Sequence, residues 1–473
     1  MLYVCGTDRD YDNWAASGAT GWDYNSVLPY IKKSENNTNP AIVGTGTYHG
    51  TTGPLTVSDY PNVDYLVPVL QNGFNQLGYS SLQDFNSRQY NGFVKLQGTI
   101  KGGERMSASR AMIQPVKNNT NFYIMKYSTA TKISFSGTKA VSVTLTMPAT
   151  STYSGCNTIT VKATKEIIVS AGAVGSAKLL QLSGIGKPAD LPAGVPSIKN
   201  LPVGDNLNDH PYSIHFVKLN PNAPAQTTLD VLAQGFQYFN SRSGPMAALS
   251  TMHSEGIINT TDTTAKYPDI QFITYRFEKS QEYLNSVLGN LGYKDEFIAQ
   301  LIDINADYEL LMVWSTVMSP YSRGSVKLRS SNPANTPIIT SGYFTDTRDV
   351  DTLLRGINKL KALVATPALQ FYNSSFVKFS IPECDPLPYP SDAYETCYIK
   401  YFSGSEWHYS GTTRMGRTTD ATSVVDPTLK LLGYTNIRVC DAGVMPFVPS
   451  GNIQCPVYMI GQKCADFIKA AWP

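Results

Sequence analysis

Residues 166–186 read EIIVSAGAVGSAKLLQLSGIG, and this stretch predicts a strand, a turn of small residues and a helix. The run Glu166–Ser170 is short and apolar, as is typical of a strand buried in a parallel sheet. Ser176 then opens an apolar helix that ends at Gly184. Such a unit brings backbone close to a bound cofactor, but it is also common in α/β proteins that bind none. The stretch therefore predicts an α/β fold and leaves its function open.

Outward from this unit, the chain alternates between strand and helix patterns. Residues rich in β-branched and aromatic side chains favour strands at 121–135 and 140–146. Apolar residues at helical spacing predict a helix over 67–77, which Gly78 would stop. The long middle of the chain contains no internal repeat, and its patterns predict strands at 308–318 and 324–328 and a helix at 353–364.

The composition narrows the range of partners. The 473 residues are 42% hydrophobic and 16% charged, with a net charge of +2. This balance gives no reason to expect nucleic acid or an acidic membrane surface as a partner. No apolar run approaches the roughly 18 to 20 residues that a membrane-spanning helix needs. The length suffices for two or more domains with well-filled cores.

A search for short cofactor and catalytic motifs finds only lookalikes. Residues 44–50 read GTGTYHG, with the third glycine one residue late for a dinucleotide-binding turn. Pro54 and a strand-like run follow it, so we interpret it as a loop. No Gly-x-Ser-x-Gly elbow occurs, which disfavours an α/β-hydrolase. No His/Cys cluster has zinc spacing, so no metal site is predicted.

The seven cysteines do not form a dense framework. Cys384 and Cys397 bracket a segment, 385–396, that lacks helical or strand periodicity. A disulfide would pin this loop, and two reduced thiols are the alternative. Other cysteines lie in apolar surroundings and are interpreted as small core residues: Cys440, Cys455 and Cys464.

Evidence for secretion is mixed at this level. Met1–Cys5 leads straight into polar sequence, without the features of a signal peptide. Four sequons of the Asn-x-Ser/Thr type occur, some of which a chain rich in these residues would show by chance: Asn36, Asn118, Asn259 and Asn373. They give weak support for an extracellular glycoprotein.

Seven separated blocks, in order, resemble the glucose–methanol–choline (GMC) family of FAD-dependent oxidoreductases: residues 1–35, 48–55, 103–111, 166–186, 201–210, 407–416 and 439–452. Each block alone is a weak match, but together they span nearly the whole chain. The Tyr-Asp-x-Trp sequence at 11–14, with the two cysteines near the C-terminal end, resembles the insect branch. That branch includes glucose dehydrogenase-like and ecdysone oxidase-like enzymes.

The resemblance implies an α/β fold (α+β overall) with two interleaved domains. One is an FAD/NAD(P)-binding-like domain, and the other is a substrate domain whose antiparallel sheet is backed by helices. The expected segments are a linker or lid part of the flavin domain at 1–55, a substrate-domain segment at 56–107, a flavin-domain segment at 108–207, the substrate domain at 208–400 and a C-terminal flavin-domain segment at 401–473.

The chain departs from the family pattern near its start. Family members carry a strand, a Gly-rich turn and a helix that hold the ADP part of FAD, and these residues contain no such unit. We therefore expect an incomplete gene model or a short isoform that holds FAD poorly. The remaining parallel sheet should have an open edge and an exposed apolar face. Cys5 stands where arginine is usual, and Ala177 where proline is common.

Oxidising an alcohol requires a base for the hydroxyl proton and an acceptor for a hydride, which no side chain provides. By resemblance, His408 in the Trp-His segment is the catalytic base and flavin is the acceptor. A histidine bonded into a turn is the alternative interpretation. Asn452 stands where the family has histidine or asparagine, and it would donate a hydrogen bond to the substrate oxygen as it becomes an alkoxide. The alternative interpretation of Asn452 is an asparagine that a Gly-rich turn tolerates and that has no catalytic role.

The resemblance also implies the residues that contact FAD: Ala130, Ala171, Gly172, Asp441, Ala442, Asn452, Ile453 and Pro456. The expected function is FAD-dependent oxidation of a CH–OH group in a sugar, steroid or other small alcohol, in an extracellular setting, with the electron acceptor left open. The alternative is a secreted, catalytically inactive relative that does not bind FAD stably. Among the remaining histidines, His49 and His210 are interpreted as structural.

Overall fold

The computed structural model describes residues 1–61, 63–147, 157–221, 224–248 and 254–473. The described part contains twelve α-helices: α1 (Asp8–Ala16), α2 (Tyr24–Ser34), α3 (Pro40–Val43), α4 (Leu66–Gln76), α5 (Gly172–Leu182), α6 (Thr228–Ser241), α7 (Leu284–Asn290), α8 (Asp295–Asn305), α9 (Thr347–Val364), α10 (Pro367–Gln370), α11 (Asp392–Tyr401) and α12 (Gln454–Ala471). None of these helices is both long and apolar enough to span a bilayer.

The same residues form nineteen β-strands: β1 (Glu35–Asn37), β2 (Leu55–Val57), β3 (Ser80–Leu82), β4 (Gly92–Lys95), β5 (Ile100–Lys101), β6 (Glu104–Arg105), β7 (Thr129–Ser136), β8 (Lys139–Thr146), β9 (Thr158–Lys162), β10 (Ile167–Val169), β11 (Pro211–Leu219), β12 (Ser254–Ile258), β13 (Ile270–Phe277), β14 (Glu309–Val317), β15 (Ser325–Lys327), β16 (Ile338–Thr340), β17 (Ser375–Phe376), β18 (Ser403–Ser405) and β19 (Ile437–Val439).

The largest sheet has eight strands, which come from between residues 80 and 405 of the chain. Seven strands follow the order β17-β11-β14-β13-β12-β4-β3, and β18 pairs with β11. All neighbours are antiparallel except β3 and β4. Because side chains alternate along a strand, the two faces bury different sets. One face packs against α4 and α9, and the other packs against α7, α8 and α11.

A second group of elements surrounds the stretch that opened the sequence analysis. β10 pairs in parallel with β19, and α5 follows β10 directly. The antiparallel strands β7, β8 and β9 and the long helix α12 complete this group. Ile168, in the middle of β10, is 38% exposed.

Several sequence predictions are confirmed. The helix expected at 67–77 is α4, the strand expected at 140–146 is β8, and the strand expected at 308–318 is β14. The helix expected at 353–364 is the second half of α9, which begins earlier because Asp346 caps it. The mixed fold with an antiparallel, helix-backed sheet is confirmed as well, while the domain boundaries stay predictions.

Three local predictions are wrong. The strand expected from residue 121 begins only at Thr129, since the preceding side chains face solvent and have no neighbouring strand; Tyr123 is 84% exposed. Helix α5 begins at Gly172 rather than at Ser176, whose hydroxyl instead accepts the N–H of Ala171. Residues 385–396 are not loop throughout, because helix α11 already begins within them, after its N-cap Ser391.

Three disulfides link six of the seven cysteines, and Cys156 lies outside the described residues. The Cys384–Cys397 bridge expected from the sequence is present. The interpretation of three others as unpaired core residues is wrong, because they form the bridges Cys5–Cys455 and Cys440–Cys464. Cys5 and Cys455 are 450 positions apart, a pairing that spacing does not reveal.

A buried ion cluster anchors the loop after α3. Nδ1 of His49 lies 2.8 Å from Oε1 of Glu35, and Nε2 lies 2.8 Å from Oδ2 of Asp84. Burial lowers the pKa of His49, but the hydrogen bonds to both carboxylates raise it by more. The net result is a pKa of about 9. The imidazolium therefore stays charged in the folded protein at neutral pH. The structural interpretation of this residue accounts for its contacts.

The first prediction concerns this cluster. A histidine whose pKa is raised from 6.5 to about 9 on folding contributes stability below pH 6.5 and loses it as the pH rises through 9. The variant His49→Gln should therefore lower the melting temperature strongly at pH 6.5, by an amount equivalent to roughly 3 kcal/mol. The gap to wild type should narrow towards pH 9. A constant gap across this range would contradict the charged pairing, and Thr47→Ala, at an exposed position of the same loop, is the control.

The second prediction concerns the disulfides. Peptide mapping without reduction should recover Cys5–Cys455, Cys384–Cys397 and Cys440–Cys464 as linked peptides. The loop-closure model gives a larger stability loss for opening the longest loop, roughly twice that for opening the 13-residue loop. Melting temperatures of Cys5→Ser and Cys384→Ser test this order. Equal losses would contradict the loop-closure origin of the difference.

Candidate active site

His408 lies in a loop that one buried carboxylate holds in place. Oδ1 of Asp209 accepts the backbone N–H of His408 and that of His210, each at 2.8 Å. Its other oxygen accepts hydrogen bonds from the hydroxyls of Tyr343 and Ser405. Burial raises the pKa of Asp209 even though these bonds lower it. The carboxylate thus joins two segments that are distant in sequence into one site.

The ring of His408 is buried between an imidazole and an amide. Its Nδ1 lies 2.8 Å from Nδ1 of His210, and its Nε2 lies 3.5 Å from the amide nitrogen of Asn452. The two predicted catalytic residues are therefore neighbours, although 44 positions separate them. His210, which we interpreted as structural, is in direct contact with the candidate base.

Asn452 is positioned by the turn that leads into α12. Gly451 has a φ of 86°, a left-handed conformation that glycine adopts without strain. A Cβ at this position would lie 2.5 Å from Cγ1 of Val4, so the close approach also requires glycine. The Cys5–Cys455 disulfide anchors the first turn of α12 immediately afterwards. These constraints fix the amide next to the imidazole.

Polar side chains from the large sheet, and Glu406, extend the contacts of His408 and Asn452. Gln271 on β13 donates to Oδ1 of Asn452 at 3.2 Å and to Oε2 of Glu255 on β12 at 2.5 Å. Thr316 on β14 donates to Glu406. The other oxygen of Glu406 lies 3.3 Å from Nδ1 of the candidate base. Two buried carboxyl groups thus flank the histidine–asparagine pair.

Burial favours the uncharged forms of four ionisable groups of the site near neutral pH: Glu255, Glu406, His210 and His408. It raises the pKa values of Glu255 and Glu406 to about 8. It lowers the pKa of His210 to about 4, and it lowers the pKa of His408 well below the usual value, with the neighbouring His210 contributing. His408 is therefore a neutral imidazole at pH 7, the form that accepts a proton.

The ligand atoms of His210, Glu406 and His408 lie within 4.8 Å of one another, a grouping that could hold a metal ion. The two Nδ1 atoms, however, are 2.8 Å apart. Two nitrogens on one tetrahedral zinc ion would be about 3.3 Å apart, given Zn–N bonds of about 2.0–2.1 Å. The distance fits an N–H···N hydrogen bond, so the contact between the rings is interpreted as one.

A second group of predicted residues meets at the carboxyl ends of β10 and β19. Oδ2 of Asp441 accepts the N–H of Gly172 at 3.0 Å and the hydroxyl of Ser176, and Oδ1 accepts the N–H of Gly443 at 2.8 Å. Gly172 has a φ of 75°, and nothing lies within 4 Å of the place where its side chain would be. Ligands of α/β folds bind at this end of parallel strands.

These residues fit FAD by the chemistry of their donors. Helices α5 and α12 both begin without a side-chain cap, next to Ala171 and Ile453. Backbone N–H groups at such helix starts can donate to phosphate, ribityl or ring acceptors. The open space beside Gly172 leaves room for such a group at the start of α5.

The turns at Gly172 and Asp441 are connected to the histidine through one backbone segment. Gly411 donates its N–H to the carbonyl of Ala442 at 3.1 Å, and Thr413 donates to that of Gly443 at 2.8 Å. The hydroxyl of Thr412 donates to the carbonyl of Ala173 in the first turn of α5 at 2.5 Å. The segment that follows His408 therefore runs along both predicted cofactor-binding turns.

The remaining predicted contacts lie on the same group of elements. Pro456 is buried in the first turn of α12, and Ala130 on β7 packs half-buried against the core that contains β10 and α5. Contact of either residue with flavin stays a prediction. A cavity of about 820 Å³ opens beside Trp407, the neighbour of His408.

Comparison with known proteins decides the family. Two models described as GMC oxidoreductase match residues 1–212 and 320–461. The chain is 34% identical over 477 residues to glucose dehydrogenase (FAD, quinone) of Drosophila pseudoobscura pseudoobscura, covering 100% of this chain and 72% of that protein. The chain belongs to the GMC oxidoreductase family. The prediction of an FAD-dependent oxidoreductase acting on CH–OH groups is thereby confirmed at the level of the family.

Other relatives agree with this assignment. Ecdysone oxidase of Bombyx mori is 29% identical over 473 residues, covering 99% of this chain and 68% of that protein. Formate oxidase of Aspergillus oryzae has the same fold, with a TM-score of 0.84, 22% identity, and coverage of 99% of this chain and 82% of that one. The GMC fold is therefore shared by relatives that are named for different substrates.

The sequence analysis missed several polar neighbours in this GMC site: His210, Glu255, Gln271 and Glu406. His210 belongs to the 201–210 block, and Glu406 lies two positions before His408, so both could have been found from their motifs. Glu255 and Gln271 lie on strands where alternation alone gives no sign of function. Of the five histidines, His253 lies outside the described residues.

Proposed function

We propose that this chain oxidises a CH–OH group with His408 as the base and Asn452 as the hydrogen-bond donor to the substrate oxygen. The observation that carries the proposal is the 3.5 Å approach of the Asn452 amide to Nε2 of His408. An alcohol oxygen within hydrogen-bond distance of both groups would lose its proton to Nε2 and keep a hydrogen bond from the amide. When bound, FAD supplies the acceptor for the hydride.

The protein groups then do three things. The imidazole takes the hydroxyl proton, which a neutral ring can do at physiological pH. The amide of Asn452 stabilises the negative charge that develops on oxygen, and Gln271 holds the orientation of this amide by donating to its Oδ1. The open space at Gly172 and the start of α5 would take the sugar and phosphate parts of the cofactor, and Asp441 holds this turn by accepting the N–H of Gly172.

The proposed substrate is a cyclic alcohol of sugar or steroid size. The relatives include glucose dehydrogenase and ecdysone oxidase, whose names identify a sugar and a steroid. The cavity of about 820 Å³ beside Trp407 has the usual volume for a small-molecule site, but neither His408 nor Asn452 lines it, so the choice of substrate rests on these relatives.

We further propose that the protein works outside the cell. Three disulfides are typical of oxidising compartments. Two of the four sequon asparagines, Asn118 and Asn373, are exposed and could carry glycans. Asn259 instead donates its amide to the carbonyl of Tyr267, which makes it a poor acceptor. Glycosidase treatment of the secreted protein should therefore remove at most the glycans at the exposed sites.

The third prediction tests the roles of the two catalytic candidates. In protein carrying FAD, His408→Ala should slow flavin reduction by the alcohol by about 10²- to 10⁴-fold, the usual contribution of a positioned base. Asn452→Ala should slow it by about 10²-fold, as for loss of an oxyanion donor. Anaerobic rapid mixing with a hexose, a steroid alcohol or an aromatic alcohol measures the rate.

Both variants should keep the visible spectrum of bound flavin. Asn290→Ala, at an exposed position at the end of α7, is the matched control and should reduce its flavin at the wild-type rate. Normal reduction in His408→Ala would remove the proposed role of the histidine. A protein that carries FAD but is reduced by none of the alcohols would favour a catalytically inactive relative.

The fourth prediction concerns the turn at Gly172. Asp441→Asn replaces an acceptor of three hydrogen bonds by an amide whose NH₂ would face donors. We expect FAD affinity to fall by about tenfold, because the turn proposed to face the cofactor loses the hydrogen bonds that hold its shape. Fluorescence titration of FAD measures it, with Asp303→Asn on the exposed face of α8 as control. Unchanged affinity would place the cofactor elsewhere.

A further inference from the structure

His210 is the side chain of the site whose chemistry the proposed mechanism does not yet use. Its ring is fully buried and lies at 90° to the ring of His408, with the centroids 5.1 Å apart. Nδ1 faces Nδ1 of His408 at 2.8 Å, and Nε2 faces the backbone carbonyl of Met318 at 3.2 Å. The contacts therefore run from the carbonyl of Met318 to the ring of His210 and from there to the ring of His408.

The carbonyl end of this series of contacts sets the proton positions. A carbonyl oxygen can only accept, so Nε2 of His210 must carry the hydrogen of that bond. Burial lowers the pKa of His210 to about 4, so at neutral pH the ring carries a single N–H. Its Nδ1 is therefore a lone pair and can only accept.

The next ring follows from this assignment. An N···N contact of 2.8 Å needs one donor and one acceptor, because two lone pairs at this distance repel. The donor must be Nδ1–H of His408, which leaves Nε2 of that neutral ring without a hydrogen. Resting on the proposed function, we infer that His210 is a positioning residue that holds His408 in the tautomer whose free Nε2 faces Asn452.

The other neighbours of His408 are compatible with this tautomer. The amide nitrogen of Asn452, 3.5 Å from Nε2, is a donor and so matches a lone pair there. Glu406 approaches the same Nδ1 at 3.3 Å, farther than His210 does. Burial raises the pKa of Glu406 to about 8, so at neutral pH it is a weaker acceptor than a carboxylate would be. Asp209 holds both histidine backbones and so fixes the distance between the rings.

The arrangement also suits the proton transfer itself. When the hydroxyl proton moves to Nε2, His408 becomes an imidazolium with N–H groups on both nitrogens. Its Nδ1–H keeps the same acceptor throughout, so neither ring has to turn and no second proton has to move. The opposite tautomer would place a hydrogen on the atom that must receive the proton, and a catalytic imidazole in the wrong tautomer loses roughly 10⁴ in rate.

The experiment reads the tautomer directly. In protein labelled with ¹⁵N-histidine, the His408 signals, assigned by their loss in His408→Gln, should show a protonated Nδ1 and an unprotonated Nε2 at neutral pH. This measurement needs neither substrate nor turnover. A wild-type His408 with its hydrogen on Nε2 would overturn the inference, whatever the variants do.

Two variants test the role of His210. His210→Leu keeps bulk but removes the acceptor, and His210→Asn can place its Oδ1 near the position of Nδ1. Without its acceptor the ring of His408 can still visit the reactive tautomer, so we expect His210→Leu to lower kcat by about 100-fold rather than 10⁴-fold. KM should change by less than about threefold, and His408 should shift towards the Nε2–H form. His210→Asn should restore part of both. A wild-type tautomer and kcat in His210→Leu would refute the inference.

A control separates this effect from the loss of any buried ring. His215 lies on β11 and bonds to Glu395 rather than to the site, so His215→Asn should leave the His408 signals unchanged. The outcomes also separate the two proposals. If the tautomer is as inferred but His408→Ala reduces flavin normally, the role of His408 as base fails and the positioning by His210 stands.

Discussion

One buried carboxylate, that of Asp209, is the interaction on which the site depends. It accepts the backbone N–H groups of His210 and His408, which are 198 positions apart, and it also bonds to two hydroxyls. Because Asp209 bonds to the backbone of each loop, it fixes the position of the loop and leaves the histidine side chains free to make other contacts. The two imidazoles can therefore meet at hydrogen-bond distance, and the loop of the candidate base needs no regular secondary structure.

The site is assembled from both halves of the molecule. The large antiparallel sheet supplies Glu255, Gln271 and Thr316 from three adjacent strands. The elements around β10 and β19 supply the turns that we propose contact the cofactor, and the segment after His408 connects the two groups of elements through hydrogen bonds. Rigid strands thus hold the polar groups beside the candidate base.

The sequence predicted the parts of this arrangement that rest on local patterns. Strand β10, helix α5 and the segment of His408 could be found because small residues, apolar periodicity and the family blocks mark them. Asn452 and His408 were assigned by resemblance, and the structure brings them together. The contacts of Gln271 and Glu255 could not be predicted, since strand register and the pairing of distant segments decide them. The Cys5–Cys455 bridge was missed for the same reason.

That bridge has a consequence for how the folded chain survives damage. Because it joins residues 450 positions apart, nearly all of the described chain lies inside one covalent ring. A single protease cut anywhere between the two cysteines opens the ring but leaves both fragments tied together beside Asn452. The turn that carries the amide would then keep its anchor after a protease cut in a surface loop.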